Sequence, residues 1–158
     1  MKNKELVELL KEFNYTITTC ESCTGGLIAS AIVDISGSSQ VLNEAYITYA
    51  ASSKVSLVGV DEDIINKYGV VSEEVACDMA LKSRVKACSN VSISSTGVAG
   101  PSGGTEDTPV GTVCFGFNIN GNIETITKYF EGDRNMVRNS AREFAIDHMF
   151  ELLKNKLN

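Results

Sequence analysis

The stretch Tyr15-Thr16-Ile17-Thr18-Thr19-Cys20-Glu21-Ser22-Cys23-Thr24-Gly25-Gly26-Leu27-Ile28 decides the fold. Over residues 15–20, Ile17 and the threonines favour an extended backbone, since branched side chains pack well on a pleated surface. A polar loop with two glycines follows. Leu27, Ile28, Ala31, Ile32 and Ile35 then recur at helical spacing up to Gly37, a glycine suited to the position just past a helix end. The pattern is strand, loop, helix. Its loop has the makings of an anion cradle: glycine permits positive φ and close backbone approach, and a helix starting at Gly25 or Gly26 would add the positive end of its dipole. A second such loop, Ser95-Thr96-Gly97-Val98-Ala99-Gly100-Pro101-Ser102-Gly103-Gly104, follows a strand expected over 91–95.

Outward from these loops the periodicities are regular. Leu6, Val7, Leu9, Leu10 and Phe13 predict an amphipathic opening helix over 3–13, and residues 44–50 predict a strand. Asp61-Glu62-Asp63 starts a short helix that Gly69 ends, and Ser72 is a good N-cap, with Glu73 and Glu74 behind it, for a helix to about Cys88. Segments 110–118 and 123–130 flank Asn120-Gly121, a strong hairpin signal, and a closing helix carries Val137, Ala141, Phe144, Ala145, Met149, Leu152 and Leu153. With no repeat or linker, residues 1–158 read as one α/β domain with a mixed, mainly parallel sheet and one C-terminal hairpin.

Composition narrows the class of partner. A chain of 158 residues can bury roughly 70% of the surface its unfolded form exposes, so a core can form without disulfides or metals. Against 20 acidic side chains stand 14 basic ones, net −6, with no basic run. Such a surface repels nucleic acid and favours a small-molecule partner. No apolar stretch approaches a membrane span and no signal peptide is evident, so a cytoplasmic protein without membrane contact is expected. Five scattered cysteines fit a reducing compartment, and Cys20-Glu21-Ser22-Cys23 reads as one buried and one loop cysteine in preference to a redox pair.

The inventory of reactive groups is short. His148 is the single histidine and lies beside the apolar stripe of the closing helix, which argues for a structural role and against a Ser-His-Asp triad or a common zinc site. A lysine of lowered pKa remains as a way to activate a hydroxyl. Shifting Lys from 10.4 to about 7.5 requires about 4 kcal/mol of differential solvation, within reach of burial. Lys54 is the best placed candidate, following the strand with Ile47, Thr48 and Tyr49 in a segment poor in other charges. Taken alone, a single lysine is usually a solvated charge, and Gly37-Ser38-Ser39 is ordinarily a loop. Glu21 is either a carboxylate supporting a site or an N-terminal helix charge.

Several runs in order sharpen this inventory: Thr18-Thr19-Cys20-Glu21-Ser22-Cys23-Thr24-Gly25-Gly26, Gly37-Ser38-Ser39, Thr48-Tyr49 with Lys54, Leu57-Val58-Gly59-Val60, Gly69-Val70-Val71-Ser72, the second glycine loop, Pro109-Val110-Gly111-Thr112-Val113 and Gly132-Asp133-Arg134. Together they closely resemble the C-terminal domain family of competence/damage-inducible CinA, which includes stand-alone nicotinamide-nucleotide amidases. The resemblance implies a three-layer α/β/α sandwich and an oligomer. It also implies metal- and cofactor-free hydrolysis of nicotinamide mononucleotide to nicotinate mononucleotide and ammonia in pyridine nucleotide salvage. By resemblance, Ser39 and Lys54 match the family's Ser-Lys dyad, with Tyr49 beside the lysine. Ser22 and Thr96 match substrate-contacting hydroxyls, Arg134 matches the phosphate-binding arginine, with Arg138 as a lesser alternative, and Thr24, Gly25, Gly26, Gly97 and Gly100 complete the nucleotide-holding loops. If Ser39 proves dispensable, the nucleophile moves to Ser22.

One departure falls beside the lysine. The family's usual Thr-Tyr-Ser-Asn-x-Ala-Lys stretch reads Thr48-Tyr49-Ala50-Ala51-Ser52-Ser53-Lys54 here. Loss of the Asn removes a group able to fix the lysine or bond substrate, which raises a second expectation: a nucleotide-binding domain with a weak or silent dyad.

Overall fold

A computed structural model describes residues 1–157. Along the chain run α1 (Asn3–Glu12), β1 (Ile17–Glu21), α2 (Leu27–Val33), β2 (Tyr46–Ile47), α3 (Ala51–Ser53), α4 (Glu62–Tyr68), α5 (Glu73–Lys86), β3 (Val91–Gly97), β4 (Thr112–Ile119), β5 (Asn122–Tyr129) and α6 (Arg134–Leu157). The sheet order is β2-β1-β3-β4-β5. β1 pairs in parallel with β2 and β3, whereas β4 is antiparallel to both β3 and β5. All strands except β4 therefore share one direction, which gives the mixed sheet with its terminal hairpin. Asn120 and Gly121 both take positive φ at the hairpin turn, as a two-residue turn matched to strand twist requires.

Helices cover both faces. On one side Leu6, Val7 and Leu10 of α1, Ile28, Ala31 and Ile32 of α2, and the Val137–Leu153 stripe of α6 bury Ile17, Ile93, Val113, Phe115 and Phe117. On the other, Val75 and Met79 of α5 and Ile65 of α4 pack with Cys20, Val58 and Val60. Small side chains let α5 lie close to the sheet: Ser92 and Ser94 donate to the α5 carbonyls of Ala80 (2.6 Å) and Ala76 (2.5 Å). His148 is structural, its Nε2 2.7 Å from Glu124 Oε1 and its ring stacked on Phe144.

Three boundaries differ from the sequence expectation. α2 ends at Val33, and Gly37, at φ +86°, begins the 3₁₀ turn Ser38–Gln40 instead of closing the helix. The strand expected over 44–50 shrinks to Tyr46–Ile47, because β2 is an edge strand with β1 as its one partner and the chain turns helical at Ala51. That helix widens into a π-helical turn over Lys54–Val58, a geometry often found at functional sites.

The largest revision concerns the first glycine loop. Gly26, at φ +98°, is the N-cap of α2, but the donors around it already have an anion. The fully buried Glu21 carboxylate accepts from the amides of Gly26 (3.2 Å), Ile28 (2.9 Å) and Ala29 (3.0 Å) and from the hydroxyls of Thr19 (2.9 Å) and Thr24 (2.7 Å). The helix end thus holds the chain's own carboxylate, and its dipole stabilises that charge in place of a ligand's. Ser95 lies 2.7 Å from Thr24, extending the network to β3.

Two stability outcomes follow. Glu21→Gln places an amide NH₂ among N–H and O–H donors, and urea denaturation should show a loss of about 2–4 kcal/mol. Gly97→Ala puts a Cβ 2.6 Å from the Thr112 carbonyl oxygen and 2.9 Å from Val113 Cα, backbone that cannot yield cheaply, and should cost about 1–3 kcal/mol in the same measurement.

Candidate active site

In open α/β sheets, sites form outside the carboxyl ends of parallel strands, where the chain switches direction across the sheet. Here β1 lies between β2 and β3. Its carboxyl end carries Ser22, that of β2 leads into Thr48 and Tyr49, and that of β3 leads into the second glycine loop. The main chain stitches these exits together: Ser22 N donates to Ser95 O (2.9 Å) and Thr48 N to Glu21 O (2.8 Å).

Into this junction reaches Lys54. Its side chain is fully buried, and Nζ donates to the Thr48 carbonyl (2.7 Å) and to Ser22 Oγ (3.1 Å). Ser22 Oγ in turn donates to the Tyr49 carbonyl at 3.3 Å. No described carboxylate forms an ion pair with Lys54. Burial therefore lowers its pKa from the ordinary lysine value, and the opposing pull comes from Cys20 and Cys23. Those thiols are themselves pushed up to about 11 and about 12 by burial, so at neutral pH they carry no charge with which to hold the ammonium. A neutral amine is accessible at Lys54, and its lone pair can accept the Ser22 proton once the hydroxyl rotates from the Tyr49 carbonyl.

Ser39 is not part of this junction. It is exposed on the 3₁₀ turn, and the chain leaving that turn bonds the start of β1, where Ile17 N donates to Val41 O at 2.8 Å. Ser22 lies beyond the other end of β1. A five-residue strand spans about 16 Å, so Ser39 and Lys54 sit at opposite ends of the sheet. The Ser39–Lys54 pairing is replaced by Ser22–Lys54. The signal for this was available in the sequence, since Ser22 follows a parallel strand and Ser39 precedes one.

Other expected site residues separate into facing and supporting groups. Thr24 and Thr96 are fully buried, with Thr24 donating to Glu21 and Thr96 to the Val70 carbonyl (2.8 Å), so neither hydroxyl is presented to a ligand. Gly97 lies within β3 against β4, where lack of a side chain serves packing. Arg134, exposed at the start of α6, donates to the Gly100 carbonyl (2.7 Å) and to the Tyr49 hydroxyl (2.9 Å), tying the second loop to the β2 exit. Two of its five N–H groups are used in these bonds, leaving donors for an anion. Beside it lies an open depression of about 520 Å³ lined by Ala99, Pro101, Val110, Gly132, Asp133 and Arg134.

Arg138, one turn further along α6, has a different task. Its guanidinium donates to the carbonyls of Cys23 (2.9 Å) and Thr24 (3.1 Å) and lies against Gly25. Clamping these carbonyls fixes the Cys23–Thr24 and Thr24–Gly25 peptide planes in the loop after Ser22. Among the described residues the Thr24 amide has no acceptor, while the Cys23 amide bonds its own thiol. The arrangement therefore joins a serine hydroxyl, a desolvated lysine, the unpaired Thr24 amide and an arginine facing solvent. Ala50 and Ala51 are exposed, and the Lys54–Ser22 bond forms without side-chain support from either. No helix among the described residues is long and apolar enough to cross a membrane.

Known proteins resemble this chain in sequence and in fold. The nicotinamide-nucleotide amidohydrolase PncC of Enterobacter agglomerans is 43% identical, covering 98% of this chain and 100% of that protein. Its namesake from Escherichia coli K12 is 38% identical, covering 96% of each. The CinA-like protein of Kosmotoga olearia is 44% identical over 90% of this chain, but the match spans only 34% of that protein. Among solved structures, a competence or damage-inducible protein from Enterobacter asburiae superposes with a TM-score of 0.92 at 32% identity, covering 96% of this chain and 95% of that one. The CinA C-terminal domain model matches residues 1–153, and the chain belongs to that family.

Proposed function

We propose that this chain hydrolyses the carboxamide of nicotinamide mononucleotide to nicotinate mononucleotide and ammonia, with Ser22 as nucleophile and Lys54 as its base. The observation that carries the reading is the 3.1 Å contact between a fully buried, carboxylate-free lysine and Ser22, in a chain whose full-length relatives are named nicotinamide-nucleotide amidohydrolases.

Neutral Lys54 takes the Ser22 proton as Oγ attacks the carboxamide carbon. The Thr24 amide, whose peptide plane Arg138 clamps through the Cys23 carbonyl, stabilises the oxyanion. Protonated Lys54 then gives its proton to the departing nitrogen and ammonia leaves, with Ser22 acylated. Water attacks the ester with Lys54 again as base, releasing the carboxylate and restoring the hydroxyl. The Thr48 carbonyl holds one N–H of Lys54 throughout, which aims the lone pair. Arg134, positioned by Tyr49 and Gly100, binds the phosphate at the remote end of the substrate, and that binding energy orients the amide.

The silent-domain alternative rests on Ala50 and Ala51, and it loses force because the lysine contacts involve neither side chain. Ammonia release from nicotinamide mononucleotide distinguishes the two readings. Ser22→Ala and Lys54→Ala should each lower kcat by about 10³-fold or more, whereas Ser39→Ala should stay within about twofold of wild type. Arg134→Ala should act chiefly on KM. Because the base must be neutral, kcat/KM should fall as pH drops through the lowered Lys54 pKa and level off above it. Thermal stabilisation by the nucleotide with no ammonia produced would favour the silent domain, and an active Ser22→Ala variant would sink the dyad.

A further inference from the structure

We infer that the groove between the π-helical turn and α5 is a binding site for a phosphate monoester with an unbranched alkyl chain, taken up as a dissolved monomer. The groove is an open depression of about 530 Å³, bordered by Val55 and Leu57 of the turn and by Leu81, Lys82, Val85 and Lys86 of α5. That volume lies within the roughly 300–1,000 Å³ typical of small-ligand sites. The groove shares no lining residue with the depression beside Arg134, and the inference is independent of the proposed reaction.

The α5 wall carries two rows of side chains. Leu81 and Val85 stand one turn apart, as do Lys82 and Lys86, so the Cβ atoms within each pair are about 5–6 Å from one another along the helix. An apolar row thus runs beside a basic one. Val85 is 59% exposed, and Leu57 on the facing wall is 45% exposed. Single apolar side chains at a surface are ordinary, whereas several from two elements that border one depression and are rimmed by charge mark a binding surface. The lining is aliphatic and contains no aromatic ring. It offers dispersion contacts to an alkyl chain and no stacking platform to a planar ligand.

The two lysines select the head group. Among the described residues neither forms an ion pair. Asp78, four residues before Lys82, is engaged elsewhere: it is buried and accepts from the Asp61 amide at 2.8 Å. Like charges one turn apart on a helix oppose each other, and here the pair stands without a carboxylate on a chain of net charge −6. An anion seated between them relieves that repulsion. A phosphate monoester carries about −1.5 to −2 charges near neutral pH and presents three strong acceptor oxygens, which matches two ammonium groups. A carboxylate would leave one of them unmatched.

Titration of the full chain with octyl phosphate, followed through methyl and amide NMR shifts, tests the site. Leu57, Leu81 and Val85 should shift together and saturate at one ligand per chain, below the concentration at which the probe aggregates. Octanol, which lacks the charge, and inorganic phosphate, which lacks the chain, should each bind roughly tenfold or more weakly, as should octyl phosphate to the K82E/K86E double variant. Should that variant fail to fold by circular dichroism, K82Q/K86Q takes its place with the same expected loss. Because Arg134 is proposed to hold a phosphate too, R134A is titrated in parallel and should keep the Leu57 and Val85 shifts. The site is overturned if octyl phosphate moves none of the three residues or moves them only once it aggregates. It is equally overturned if octanol or inorganic phosphate binds as tightly, if a folded lysine variant binds undiminished, or if R134A abolishes the shifts.

Discussion

The burial of one carboxylate organises this protein. Glu21 ends β1, and its two oxygens accept five donors drawn from β1, the following loop and the first turn of α2. A buried charge persists only where its hydrogen bonds are satisfied. The residues that satisfy it, Thr19, Thr24 and the amides of Gly26, Ile28 and Ala29, are thereby fixed relative to one another. Ser22 sits between the carboxylate and the helix it caps, so the serine inherits a backbone with little freedom to shift.

The lysine side of the junction works by the opposite device. Donors surround Glu21, whereas Lys54 has one carbonyl, one hydroxyl and no counter-ion. Its position depends on the chain turning helical at Ala51 and widening at Lys54, which carries Nζ back beneath the strand it has just left. The carboxylate is thus held by its donors, while burial without a counter-ion lowers the Lys54 pKa.

Much of the layout was legible in the residues. The Asn120-Gly121 turn, the Ser72 cap and the apolar stripes of α1 and α6 follow from local chemistry, and the structure places each where its pattern points. Lys54 was legible too, from a single charge after a strand in an apolar stretch. What failed was long-range. Gly37-Ser38-Ser39 shows its remoteness only through its place before a strand, and Thr24 and Thr96 look like available hydroxyls until the carboxylate and the carbonyl they bond are placed beside them. Arg134 and Arg138 are one turn apart on one helix. Only the fold separates the arginine that faces solvent from the one that clamps a loop.

The turn at Ser38–Gln40 and the hairpin tip at Asn120-Gly121 both lie at the end of the sheet remote from Ser22. With the proposed Ser22–Lys54 site at the other end, the molecule has a reactive pole and an inert one. Attachment chemistry confined to the inert pole, such as tethering to a solid support or grafting a reporter peptide, would leave the entrance used by small molecules unobstructed and pointing away from the anchor.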